Sequence, residues 1–221
     1  MIGRARTNIR ALIEDQYEIL SQMISDVAEH YHDEVSALER EVNEIYNKYA
    51  NSDYETFSNE TQGLGDVLDK QYSFCYEARK ILFCAIFSYF ESMLYGIISY
   101  YRIDRGKTNQ IGQLIDKITN QYKKWFNEEL VLSDDLNKRI RDFYRPLRNY
   151  YMHGVVDSET DKANLRTYID SNSNFIGNYH EIKDNEFLRC VLSESYSFLI
   201  DIEDAYVAKM TEKRWAVYEN T

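Results

Sequence analysis

The chain has 221 residues, enough to bury a substantial core, yet it holds only one proline and eight glycines. Tight turns draw on those two residue types, so an all-β fold is excluded and a strongly helical one is expected. The net charge of −11 argues against nucleic-acid binding until it is divided: residues 1–69 carry 5 basic and 15 acidic side chains, and residues 70–221 carry 21 and 22, so the acidity belongs to the N-terminal third.

From about Thr7 to Tyr49 there is no glycine or proline, and Leu20, Ile24, Val27, Tyr31, Val35, Leu38, Val42, Ile45 and Tyr49 recur at steps of mostly three and four. That narrow seam predicts one long helix, packed as a helical hairpin or against a partner. The stretches "EHYHDEV" and "EREVNE" read as its solvated acidic face. Residues 51–69, with Gly63 and Gly65, lose the periodicity and read as a connection. The organisation expected is an acidic long-helix extension and connection over 1–69, followed by a helical domain over 70–215.

A second helix is predicted from about Gln71 to Tyr101, with Phe74, Ile81, Leu82, Ile86, Phe90, Met93, Leu94 and Ile97 on a wide apolar face. Residues 81–101, "ILFCAIFSYFESMLYGIISYY", have the length of a membrane span. Glu91 sits at their middle, where a carboxylate costs about 2.5–3.5 kcal/mol, so the reading is a buried core helix and no membrane partner. "RIDRGK" reads as a turn, and a third helix follows over about 109–127. Ser133 ahead of Asp134 and Asp135 is an N-cap with an acidic first turn, opening a fourth helix. Pro146 removes a backbone donor and collides with the preceding turn, so that helix should kink or restart near Arg145, and Gly154 should end it. Residues 157–184 read as polar and irregular, with a short strand or hairpin in "SNSNFIGNYHEI", before a last helix from about Asn185 to Arg214. Cys75, Cys84 and Cys190 are odd in number and widely spaced, and no secretory segment precedes them, so a cytoplasmic location with reduced thiols is expected.

The stretch "YRPLRNYYMHG", Tyr144 to Gly154, contains the only proline, and Lys138 to Arg148 sets five basic side chains against Asp142 alone. Such a patch is suited to phosphates. Arg148 and His153 stand at i, i+5, about 140° apart on a regular helix, so they do not converge unless the helix bends or ends between them. On their own they read first as a solvated arginine and a histidine balancing the helix dipole. Asn149 shares a face with His153 and is placed to orient the imidazole. Metal-free RNA cleavage needs a group titrating near neutral pH and a fixed cation beside the phosphate, and histidine and arginine are those types. Arginine's planar fork binds two phosphate oxygens at once. Elsewhere His30 and His32 lie about 200° apart on a helix and cannot grip one metal, and His180 has no ligand cluster near it, so neither a metal nor a cofactor is expected.

"LRNYYMHG", Leu147 to Gly154, resembles the signature of the HEPN superfamily, an arginine followed by a polar residue with a histidine four to six residues on. "FSYFESMLYGII" is similar to that family's first core helix, an aromatic-rich run interrupted by an acidic residue, here Glu91. The resemblance covers about residues 70–215. It implies an all-α, HEPN-like helical bundle carrying a long N-terminal helix or helical hairpin extension. It further implies a metal-independent endoribonuclease acting as a homodimer, of the toxin or phage-defence kind, with RNA, a second copy and an antitoxin or regulatory protein as partners. Arg148 and His153 would be catalytic. Asn149, Arg145, Tyr151 and Glu91 would bind or orient the substrate. The family also includes non-catalytic modules that bind nucleotides, RNA or proteins, and that is the alternative.

Overall fold

In the computed structural model, which describes residues 8–104, 106, 110–156, 158–176 and 181–218, the glycine-free stretch after Asn8 forms α1 (Ile9–Tyr49) without a break. Its apolar seam has two fates. The first half enters the core, where Ile13 and Ile24 are fully buried and Tyr89 donates a hydrogen bond to the Ile13 carbonyl at 3.0 Å. The second half runs out as an arm with Val42 buried, antiparallel to the start of α3 (Leu64–Tyr100) and joined to it through α2 (Tyr54–Thr61). The partner of the long helix is therefore the chain itself, in a helical hairpin. Across the arm Gln71 donates to Glu34 at 2.9 Å and the Tyr72 hydroxyl donates to Glu39, so part of the acidic face is tied down by hydrogen bonds.

One expectation is corrected here. Residues 51–69 are mostly helical, because Asp53 caps α2 and α2 buries no residue, leaving no apolar period in the sequence to mark it. The expected boundary at 69/70 falls inside α3, and the first half of α1 belongs to the main core, since its apolar residues are covered by α3 and α8 (Asn185–Tyr218).

The second half of α3 is the central element: Phe83, Ile86, Phe90, Leu94 and Ile97 are fully buried. Its apolar window is long enough to cross a membrane by length and composition, and more than half of it is buried inside the fold. α4 (Ile111–Phe126) and α8 close over its end, where the Tyr206 hydroxyl donates to the Ile118 carbonyl and the Tyr101 hydroxyl donates to Glu203, both at 2.7 Å. Glu203 is only 3% exposed, and burial pushes its carboxyl above the usual range against the opposing pull of Tyr101 and Arg10. A raised folded value means that folding takes up a proton, so stability falls as pH rises from the ordinary value of 4.5 through the folded one. Glu203→Gln, which keeps an acceptor for Tyr101, should flatten that slope and raise stability at neutral pH, as read by urea denaturation across a pH series.

The rest of the chain runs through α5 (Asp134–Arg139), a π-helical turn (Ile140–Tyr144), α6 (Arg145–His153) and α7 (Glu159–Asp170) to α8. Phe175–Ile176 (β1) pairs antiparallel with Glu181–Ile182 (β2), the hairpin expected in that stretch. α7 overturns the irregular reading of this region: Ser158 caps it by accepting from the Asp161 amide at 3.0 Å, but Leu165 and Ile169 are its only buried residues, too few to show a period. Arg105, Lys107, Asn109 and His180 lie outside the described residues.

Candidate functional site

The segment carrying the motif is launched by Ser133, whose hydroxyl accepts from the Leu136 amide at 3.3 Å while Asp134 and Asp135 occupy the first turn. Loss of that cap in Ser133→Ala should cost about 1 kcal/mol in chemical denaturation. The turn ahead of Pro146 is where the chain accommodates it. Through Ile140–Tyr144 the backbone widens to π geometry, with the Arg145 amide donating to the Ile140 carbonyl five residues back. Proline, lacking an amide hydrogen, then sits in the first turn of α6, where no intrahelical partner is required. The chain does not break there: Tyr144 and Arg145 keep helical dihedrals, and the expected kink or restart is replaced by a π turn that accommodates Pro146 within a continuous helical segment. Gly154, at φ 70°, ends α6 with its amide bonded to the Tyr150 carbonyl at 2.8 Å.

The five basic side chains expected to form an open patch are mostly matched. Arg139 pairs with Glu194 of α8 at 2.6 Å, Arg141 with Asp116 of α4 at 2.7 Å, and Arg145 with Asp161 of α7 at 3.0 Å. The patch is thus largely a set of staples to three neighbouring helices. Lys138 is exposed, and Arg148 has no carboxylate partner among the described residues. Its Nη1 donates to Asn149 Oδ1 at 3.2 Å, and its buried Nε finds no acceptor; the Arg145 Nε is in the same state. An unmet buried donor is costly, so these two guanidiniums are the polar anomaly of the region.

Arg145, Arg148 and Asn149 line one cavity of about 130 Å³ together with Glu91 and Phe87 of α3 and Gln110 and Ile111 at the start of α4. Four of the six residues singled out from the sequence therefore meet in one place. Glu91 borders the cavity without an ion pair to Arg148. Arg148 also opposes the burial that pushes the Cys84 thiol up, which places its charge against α3.

His153 is not part of that cavity. It is exposed at the end of α6, with Met152 and Val155 exposed on either side at 53% and 60%. Tyr151 turns inward instead: its ring meets Phe83 edge-on at 5.7 Å, and burial pushes its hydroxyl well above the ordinary value. The same Phe83 ring contacts Tyr144, so it anchors both ends of the motif helix. Tyr144 is buried, and its hydroxyl donates to Glu194 at 2.6 Å.

Phe87, Gln110 and Ile111 in the cavity wall, and Asp161 holding Arg145, are the residues of this region that the sequence did not disclose. Gln110 carries no motif and caps its helix through no side-chain bond, and Asp161 lies in the stretch read as irregular. Among the described residues no group of three or more His, Cys, Asp or Glu side chains is placed to hold a metal ion. Compared with known proteins, the chain matches no family model, no curated protein and no solved structure.

Proposed function

We propose that the protein is a metal-independent endoribonuclease of HEPN type that works as a homodimer and serves as a toxin or phage-defence effector. The observation that carries this reading is the state of Arg148: a cation without a carboxylate partner among the described residues, beside Asn149 in a cavity, five residues before an exposed histidine. The other arginines of its run are spent on ion pairs; this one is left for an anion.

The chemistry is cleavage by the neighbouring hydroxyl. The ribose 2′-oxygen attacks phosphorus, its proton goes to a base, and the 5′-oxygen leaves with a proton from an acid, giving a 2′,3′-cyclic phosphate and a 5′-hydroxyl end. His153 moves protons in this scheme, because an imidazole serves as base or acid near neutral pH. Arg148 stabilises the charge that builds on the non-bridging oxygens, and Asn149 holds the guanidinium through its 3.2 Å contact. Arg148 and His153 do not share a cavity within one chain, and the reading therefore requires a second copy to complete the active centre, with exposed Met152 and Val155 next to His153 offering apolar contact surface.

The protein incubated with RNA in excess chelator should cut it, and His153→Ala and Arg148→Ala should each slow cutting by about 10²-fold or more. Intact RNA under all conditions would leave the second reading, a non-catalytic module that binds nucleotide, RNA or a regulatory protein. The separation of His153 from the Arg148 cavity within a single chain is what favours that alternative.

A further inference from the structure

We propose that the cleft between the arm and the turn before α8 binds a small organic anion with a planar ring, its charged group held by Arg79 and Lys183 and its ring laid against the tyrosines of the arm. The proposal is independent of the nuclease reading, since no residue of α6 lines this cleft.

Small side chains open the space. On α1, Ala28, Val35 and Ser36 line it; on α3, Tyr72, Cys75 and Tyr76; and residues 183–185, leading into α8, close the third side. The volume is about 550 Å³, within the roughly 300–1,000 Å³ that takes a drug-sized ligand. Charge in the wall is unevenly claimed. Each carboxylate has a partner: the Tyr72 hydroxyl donates to Glu39, Asp184 accepts from the amides of Glu186 and Phe187 at 3.0 and 3.4 Å, and Glu186 stands 3.8 Å from Arg189. Arg79 and Lys183 have no carboxylate within ion-pair distance among the described residues.

Arg79 meets only neutral acceptors. Its Nε donates to Asn185 Oδ1 at 3.3 Å and its Nη1 to the Ile182 carbonyl at 3.4 Å, which leaves the Nη2 edge of the fork open to an anion. Those two acceptors bracket Lys183 in sequence, so both cations stand at one end of the cleft. The guanidinium lies over the Tyr76 ring at 5.9 Å, and Tyr72 and Tyr31 extend the aromatic wall, Tyr31 braced by Phe74 at 5.4 Å. Burial pushes the Tyr31 and Tyr76 hydroxyls up, so both remain donors at neutral pH. An inorganic anion would meet only the cationic end and a neutral ring only the tyrosines; a ligand that joins the two matches the whole cleft. A nucleoside monophosphate and an aromatic carboxylate share that chemistry, and the test tells them apart.

The full chain is titrated by calorimetry with AMP, with indole-3-acetate, and with the separate halves, adenosine and inorganic phosphate. AMP or indole-3-acetate should saturate one site per chain and bind about tenfold more tightly than either half. Saturation by AMP alone assigns a nucleotide; saturation by indole-3-acetate alone assigns an aromatic carboxylate. Arg79→Gln should weaken binding about tenfold. Because Arg79 also ties α3 to the turn before α8, Lys183→Ala is the companion variant: it alters an exposed side chain, should leave the melting temperature unchanged, and should weaken binding about threefold. Arg148→Ala should bind as wild type does, which keeps the ligand apart from the motif. The cleft is overturned if neither AMP nor indole-3-acetate saturates, if adenosine or phosphate binds as tightly as they do, if Lys183→Ala keeps wild-type affinity, or if Arg148→Ala loses as much as Arg79→Gln. Saturable binding by a chain that leaves RNA intact keeps the cleft and overturns the nuclease.

Discussion

Replacing His153 by alanine should slow RNA cleavage by about 10²- to 10⁴-fold, the ordinary contribution of a positioned proton-transfer group. Because His153 is exposed at the end of α6, its removal should leave stability within about 0.5 kcal/mol of wild type. Activity and stability then separate, which a folding defect would not allow. Arg148→Ala should lose at least as much activity, since it removes the cation on which the phosphate charge builds. Mixing the two inactive chains tests the two-copy assembly. If each active centre takes its arginine from one copy and its histidine from the other, half of the randomly paired dimers regain one centre of two, so about a quarter of wild-type activity returns. No recovery on mixing, with dimers shown to exchange, means that the two side chains of one copy act together or that the residues do not cooperate.

The second large effect concerns the fold beneath the motif. Phe83 is fully buried, and its ring touches Phe87, Tyr144, Tyr151 and Phe187, joining α3 to both ends of α6 and to the start of α8. Phe83→Ala should cost about 3–5 kcal/mol in urea denaturation. Against a total of about 5–15 kcal/mol for an ordinary domain, that is a large share of what holds the protein folded. Phe83→Leu, which keeps most of the volume, should cost far less. A small loss for the alanine variant would show that the motif helix is held from elsewhere, with the Arg139–Glu194–Tyr144 contacts as the next place to look.

The sequence disclosed those parts of the fold whose physics is local. Ser133 capping its helix, Pro146 disturbing the helix near Arg145, and Gly154 terminating α6 all follow from backbone chemistry within a few residues. The long apolar period of α3 is equally plain, because nearly one whole face of that helix is core. What stayed hidden is whatever carries little apolar signal or depends on distant partners. α2 and α7 bury too little to show a period. The carboxylates that claim Arg139, Arg141 and Arg145 come from α8, α4 and α7, so a run that looks like an open basic patch in one dimension is mostly neutralised in three. The site divides in the same way. Arg148, Asn149, Arg145 and Glu91 could be named individually, but their meeting with the start of α4 depends on how three helices cross.

The π turn at Ile140–Tyr144 sets the phase of everything after it. One residue more per turn than an α-helix allows shifts the downstream surface by about 100° around the axis. Arg148 faces α4, and His153 faces away, because of a residue count upstream of both. The constraint on this segment is therefore arithmetic as much as chemical: side chains along 140–144 are exchangeable so long as their packing is kept, whereas adding or deleting a single position re-aims the whole motif while every residue of it is still present.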